Sequence, residues 1–148
     1  MQRRVVIVGT GHAATQLASS LRQQDWQGEI LLVGEEPHAP YQRPPLSKSY
    51  LAGERKADSI QIRPAAAYAS HGVDLLTGRR VLSIDRTAKM VALEDGQQLN
   101  YQKLALCTGA RARPASIRGV GSTGVFYLRT LADVDGIRAI ISPGKSAV

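Results

Sequence analysis

The chain has 148 residues and a mass of 15.9 kDa, enough for one domain with a sizeable core. Hydrophobic residues make up 43% and charged residues 21%, which excludes a disordered tail, and apolar runs of about five residues exclude a membrane span. Nineteen basic against twelve acidic residues give a net charge of +7, which admits a phosphate-bearing ligand or an acidic protein. The aromatics are scattered among the basic residues rather than interleaved with them, so neither a nucleic-acid partner nor a membrane partner is expected.

In chain order, Arg3–Gly9 (RRVVIVG) reads as a short β-branched strand of the kind covered on both faces in a parallel sheet. It stops at Gly9-Thr10-Gly11, too early for the apolar stretch of a secretory leader, so a cytoplasmic setting is expected. Ala14, Leu17, Ala18 and Leu21 then recur at helical spacing, and residues 25–28 break the helix. Glu29–Gly34 (EILLVG) is a second strand of the same buried type, and the first 36 residues predict a right-handed parallel strand–helix–strand unit.

Pro37, Pro40, Pro44 and Pro45 predict an extended, ordered loop. A short helix is expected over Leu46–Ala52 with Gly53 as its stop, a short strand over Ser59–Ile62, and a helix over Pro64–His71 ended by Gly72. From Val73 the period becomes two: Val73–Leu76, Arg80–Ile84, Lys89–Leu93 and, after the Asp95-Gly96 turn, Gln98–Tyr101 predict a small antiparallel meander inserted in the α/β chain. Lys103–Cys107 reads as another buried strand. Thr130 and Asp133 form a capping-box pattern before a helix carrying Leu131, Val134, Ile137 and Ile140, which Pro143-Gly144 ends; a strand is expected to begin at Lys145–Val148.

Gly9-x-Gly11-x-x-Ala14, between a strand and a helix, is the strongest local signal for dinucleotide binding. Gly9 permits the turn, Gly11 admits a pyrophosphate, Ala14 lets the helix pack closely, and the helix N-terminus offers N–H groups to phosphate. Glu35 ends the second strand 26 residues after Gly9, placed to accept hydrogen bonds from an adenosine ribose. The pattern does not separate FAD from NAD. A stand-alone NAD or adenine-nucleotide module without catalytic activity is the alternative reading. Cys107 is the single cysteine, so a disulfide, a CxxC redox pair and a cysteine zinc site are excluded within these residues, and no metal site is expected.

Tyr41–Lys48 (YQRPPLSK) carries more than a linker needs. With Val6–Ala14 (VIVGTGHAA), Leu32–Glu36 (LVGEE), Leu104–Gly109 (LALCTG) and Tyr127–Thr130 (YLRT) in that order, the chain resembles the FAD-dependent ferredoxin and rubredoxin reductases of the pyridine nucleotide-disulfide oxidoreductase superfamily. The resemblance implies a Rossmann-type α/β FAD-binding domain with an antiparallel β-meander insertion. It also implies electron transfer from NADH through FAD to a ferredoxin or rubredoxin.

Residue by residue, the resemblance implies that Gly9, Gly11 and Ala13 line the FAD pyrophosphate. His12 and Ala14 count with that loop, the His12 ring facing solvent. Glu35 would hold the adenosine ribose and Val81 the adenine through its backbone. Arg43 and Lys48 would lie along the cofactor, with Lys48 near the isoalloxazine as the electrostatic catalytic residue. Thr108-Gly109 would turn beside the cofactor, with Cys107 where relatives usually have alanine, and Arg129 would contact the flavin side. Taken alone, Lys48 reads as a solvated lysine, Cys107 as a small hydrophobe, and Arg111, Arg113 and Arg118 as a solvated basic loop.

Members of that family continue into a second glycine fingerprint for NADH, a G-D motif completing the FAD site, and an interface domain. The expectation is therefore an incomplete domain: 1–110 the first part of the FAD-binding domain, 111–144 a connection and helix, and 145–148 the start of an NADH-binding domain.

Overall fold

The structure, a computed structural model, describes residues 3–142 together with Gly144 and Ser146. Two compact units divide the chain: Met1–Tyr41 with Gln61–Gly109, and Gln42–Ile60 with Ala110–Val148.

The first unit runs β1 (Arg4–Val8), α1 (His12–Gln23), β2 (Glu29–Val33), α2 (Ala65–Ser70), β3 (Val73–Leu76), β4 (Val81–Asp85), β5 (Met90–Leu93), β6 (Gln98–Asn100) and β7 (Lys103–Leu106). β3-β2-β1-β7 form a parallel sheet in that order, and β4-β5-β6 a separate antiparallel sheet. Alternation along β1 explains its unbroken apolar run. Val5 and Ile7 join Ala14, Ala18, Ile30, Leu32, Tyr68 and Val73 on the helix side. Val6 joins Val33, Val91, Leu93 and Leu99 on the meander side. The sheet is thus covered on both faces, each buried aliphatic side chain contributing about 1.5–3 kcal/mol.

Several expectations change here. Val73–Leu76 belongs to the parallel sheet, pairing Ile30 with Val73 through Val33 with Leu76, and not to the meander. The apolar alternation runs past it without a pause, but Gly78 at φ +66° turns the chain between β3 and β4. Ser59–Ile62 is not a strand: Ala57–Ile60 forms a 3-10 turn, and only Gln61 bridges, to Tyr41. Its partner segment is interrupted by Pro40 and Pro44, which have no N–H for a longer ladder. Lys103–Cys107 is less covered than expected, because β7 is a sheet edge and Leu106 is 62% exposed.

The second unit holds a 3-10 turn at Pro44–Ser47 and α3 (Leu131–Ile140). Leu46, Tyr50, Ile60, Leu131 and Val134 are buried in it, and α3 packs on the 3-10 turn. The helix expected over Leu46–Ala52 is replaced by this turn and a run of hydrogen-bonded turns, with Tyr50 N–H on Pro45 O and Gly53 N–H on Tyr50 O. Consecutive prolines at its start favour the short 3-10 form over a longer helix. The capping box forms as the sequence predicts: Thr130 and Asp133 exchange side-chain and backbone bonds at the start of α3. Pro143 and, apart from Ser146, the strand start expected at 145–148 lie outside the described residues. Among the described residues, no helix is long and apolar enough to cross a membrane.

Candidate functional site

Parallel strands end together. Val8 pairs with Val33 on one side and with Leu106 on the other, so the segments after β1, β2 and β7 leave the sheet at one edge. Those segments hold Gly9–Ala14, Glu35 and Thr108-Gly109. The chain moves outward from β1 to β2 and β3, then returns on the far side as β7. Such a reversal opens a crevice beyond the carboxyl ends of the strands, where open α/β sheets bind ligands.

The two fingerprint glycines have different reasons to be glycine. Gly9 sits at φ +120°, and a Cβ there would meet Cys107 O at 2.1 Å, so the β1–β7 approach requires it. Gly11 has extended backbone at φ −95° and ψ −168°, which any residue adopts, and a Cβ there would meet nothing within 4 Å. Neither backbone nor packing demands glycine at 11, so the space beside it suits a group brought from outside. Gly11 is the N-cap of α1 and supplies no side chain to cap it. No acidic residue occupies the first turn, so the N–H groups there and the dipole of the helix favour an anion.

His12 and Ala13 are exposed beside Gly11. The Ala14 methyl is fully buried in the helix-side core, which leaves only its backbone for a ligand.

After β2 the two acids differ. Glu36 accepts a hydrogen bond from the hydroxyl of buried Tyr41, while Glu35 is exposed. This distinguishes Glu35 as the carboxylate presented outward. Gly34 between them and the strand was passed over in the sequence: a Cβ there would strike the Thr10 side chain at 2.4 Å. Its signal was present, as a glycine directly following a buried strand.

Val81 begins β4, half-buried and opposite Leu93. Thr108 and Gly109 are exposed, with Gly109 at φ +67°. Burial pushes the Cys107 thiol up, so it stays protonated near neutrality and is a poor nucleophile.

The second unit holds the remaining candidates. Arg43 Nη1 donates to Arg129 O at 2.6 Å, and Arg129 Nε donates to Ala110 O at 2.9 Å. Asp133 Oδ2 accepts from Arg129 N–H at 2.9 Å and Thr130 N–H at 2.7 Å. Lys48 is exposed, its Nζ 3.3 Å from Pro44 O. Tyr50 Oη donates to Asp135 Oδ1 at 2.8 Å, tying the turns after Lys48 to α3. The Arg43–Arg129 contact, across 86 positions, has no local sequence signal.

A family model described as Pyridine nucleotide-disulphide oxidoreductase matches residues 3–148. The chain belongs to this family. Putidaredoxin reductase CamA of Pseudomonas putida is 46% identical over 137 residues, covering 90% of this chain and 32% of that protein. Rubredoxin-NAD(+) reductase of Pseudomonas putida is 38% identical over 144 residues, covering 97% of this chain and 37% of that protein. The crystal structure of the ferredoxin reductase for the CYP199A2 system from Rhodopseudomonas palustris matches with a TM-score of 0.86 at 39% identity, covering 93% of this chain and 34% of that one. The chain spans about a third of the length of the curated relatives it matches. With one cysteine in its 148 residues, the chain contains no dithiol pair.

Proposed function

We propose that this chain is the FAD-binding portion of an NADH-dependent ferredoxin or rubredoxin reductase. The observation that carries the reading is Gly11: a glycine that neither its backbone nor any protein neighbour requires, at an uncapped helix start, at the switch point of a parallel sheet. The names and similarity of its relatives, putidaredoxin, rubredoxin and ferredoxin reductases, support FAD over a bare nicotinamide dinucleotide and a ferredoxin or rubredoxin as acceptor. On the same reading, residues 1–110 are the first part of the FAD domain, and residues 111–144 lead to an NADH-binding domain beginning at 145–148. A cytoplasmic setting belongs to the proposal, because the reductant is NADH.

The donors of the first unit suit the adenosine and pyrophosphate of the cofactor. The loop Gly9–Ala14 offers N–H groups to the pyrophosphate, with Gly11 leaving the approach open. Glu35 accepts from the ribose hydroxyls, and Val81 offers backbone to the adenine. Thr108 and Gly109 lie at the same sheet edge as the glycine loop. Arg43, Lys48 and Arg129 supply positive charge to the flavin end, where a cation favours the negatively charged, reduced form. FAD held there would supply a two-electron hydride acceptor able to give up its electrons one at a time.

Titration of the purified chain with FAD, ADP and NADH tests the reading. FAD and ADP are expected to bind in preference to NADH. Binding of NADH in preference to FAD would overturn it in favour of a nicotinamide module.

A further inference from the structure

We propose that Asp133 is a positioning residue that presets Arg43 and Arg129 for the flavin side of the cofactor. The proposal rests on the FAD reading above. One carboxylate oxygen, Oδ2, takes both the Arg129 N–H and the Thr130 N–H. A capping box requires only the second of these. The Thr130 N–H and the Arg129 carbonyl belong to one planar trans peptide, so gripping the N–H on one side aims the carbonyl to the other. Arg43 Nη1 lies on that carbonyl at 2.6 Å. The first bond, to Arg129 N–H, fixes the residue's other backbone end, and its guanidinium reaches Ala110 O. Asp133 thus holds the backbone on both sides of Arg129 and, through the Arg129 carbonyl, the acceptor of the Arg43 guanidinium.

The electrostatics agree. Burial pushes the Asp133 carboxyl up, but the bonds from Thr130 and Arg129 and the charge of Arg43 outweigh it and hold it below the usual carboxylate value. The group stays ionised, and an ionised acceptor makes the stronger hydrogen bonds.

The alternative is that Asp133 only stabilises α3. Thr130→Ala separates the two, because it removes the hydroxyl that caps the Asp133 N–H and leaves both carboxylate bonds in place. The test measures guanidinium N–H exchange of Arg43 and Arg129 by NMR, and FAD and ADP affinity, in the wild-type chain, Asp133→Ala, Asp133→Asn and Thr130→Ala. Asp133→Ala is expected to speed exchange at both arginines and weaken FAD about tenfold, with ADP within about twofold. Asp133→Asn, which keeps an acceptor oxygen, should recover part of the loss, and Thr130→Ala should leave exchange and FAD affinity near wild type. Equal losses in Thr130→Ala, or unchanged exchange in Asp133→Ala, would overturn the proposal. A wild-type chain that binds neither FAD nor ADP would overturn the cofactor reading instead; the exchange measurement needs no ligand and still decides whether Asp133 positions the arginines.

Discussion

At Gly11 the space a side chain would take is open, and at Gly9 it is filled by the backbone of Cys107. The same substitution should therefore act through different quantities. Gly9→Ala should destabilise the fold by more than about 2 kcal/mol, since it combines a positive φ with a backbone clash. Gly11→Val should keep its melting temperature and lose at least about 2 kcal/mol of FAD or ADP affinity. Thermal unfolding beside a binding titration checks both, and Gly11→Val with unchanged affinity would remove the loop from the site. The adjacent acids make a similar pair. Glu35→Ala should cost about 1.5–3 kcal/mol of affinity for a ribose-bearing ligand. Glu36→Ala should leave affinity alone and cost about 1 kcal/mol of stability, because it removes an acceptor of the Tyr41 hydroxyl. A larger binding loss at Glu36 would reassign the carboxylate.

Among the elements, α3 has the most explicit local chemistry. Thr130→Ala should lower stability by about 1 kcal/mol in urea unfolding through loss of the cap. Asp133 adds a pH dependence whose sign is fixed by its lowered folded value. Its contribution is fully present above the unfolded carboxyl value of about 4, and is lost as pH falls through the lower folded value. Asp133→Asn should flatten the stability profile in that acid window and nowhere else. This helix was legible in the sequence because its signals are adjacent: a threonine, an acid three residues on, and an apolar stripe. The first strand–helix–strand unit was legible for the same reason. Val73–Leu76 was misplaced because alternation reports a half-buried strand and not its partner, and β2 lies 40 positions earlier. The turns over residues 44–60 were misread because helical and extended expectations ignored what consecutive prolines do to hydrogen bonding. For the proposed site, the glycine loop and Glu35 are candidates from spacing alone, whereas the Arg43–Arg129–Asp133 arrangement depends on distant segments meeting.

For the molecule as a whole, β7 is an edge of the parallel sheet among the described residues, and Leu106 there is 62% exposed. Unpaired strand edges with apolar side chains template association. Leu106→Lys should shift this chain toward monomer in sedimentation velocity without lowering its stability; unchanged association would place the sticky surface elsewhere. The strand order also has a consequence for synthesis. β1 finds β2 within the first 33 residues, but its other flank waits for a strand that begins at Lys103. At about 5–20 residues per second, a ribosome needs roughly 4–14 s to cover that interval. Throughout it, the central strand of the future sheet presents one bare ladder of N–H and C=O groups to solvent. Nascent chains arrested before Lys103 should be cut readily by protease within β1 and captured by holdase chaperones. Chains arrested after Leu106 has cleared the exit tunnel should lose both properties, so the vulnerable period of this fold is set by the speed of translation.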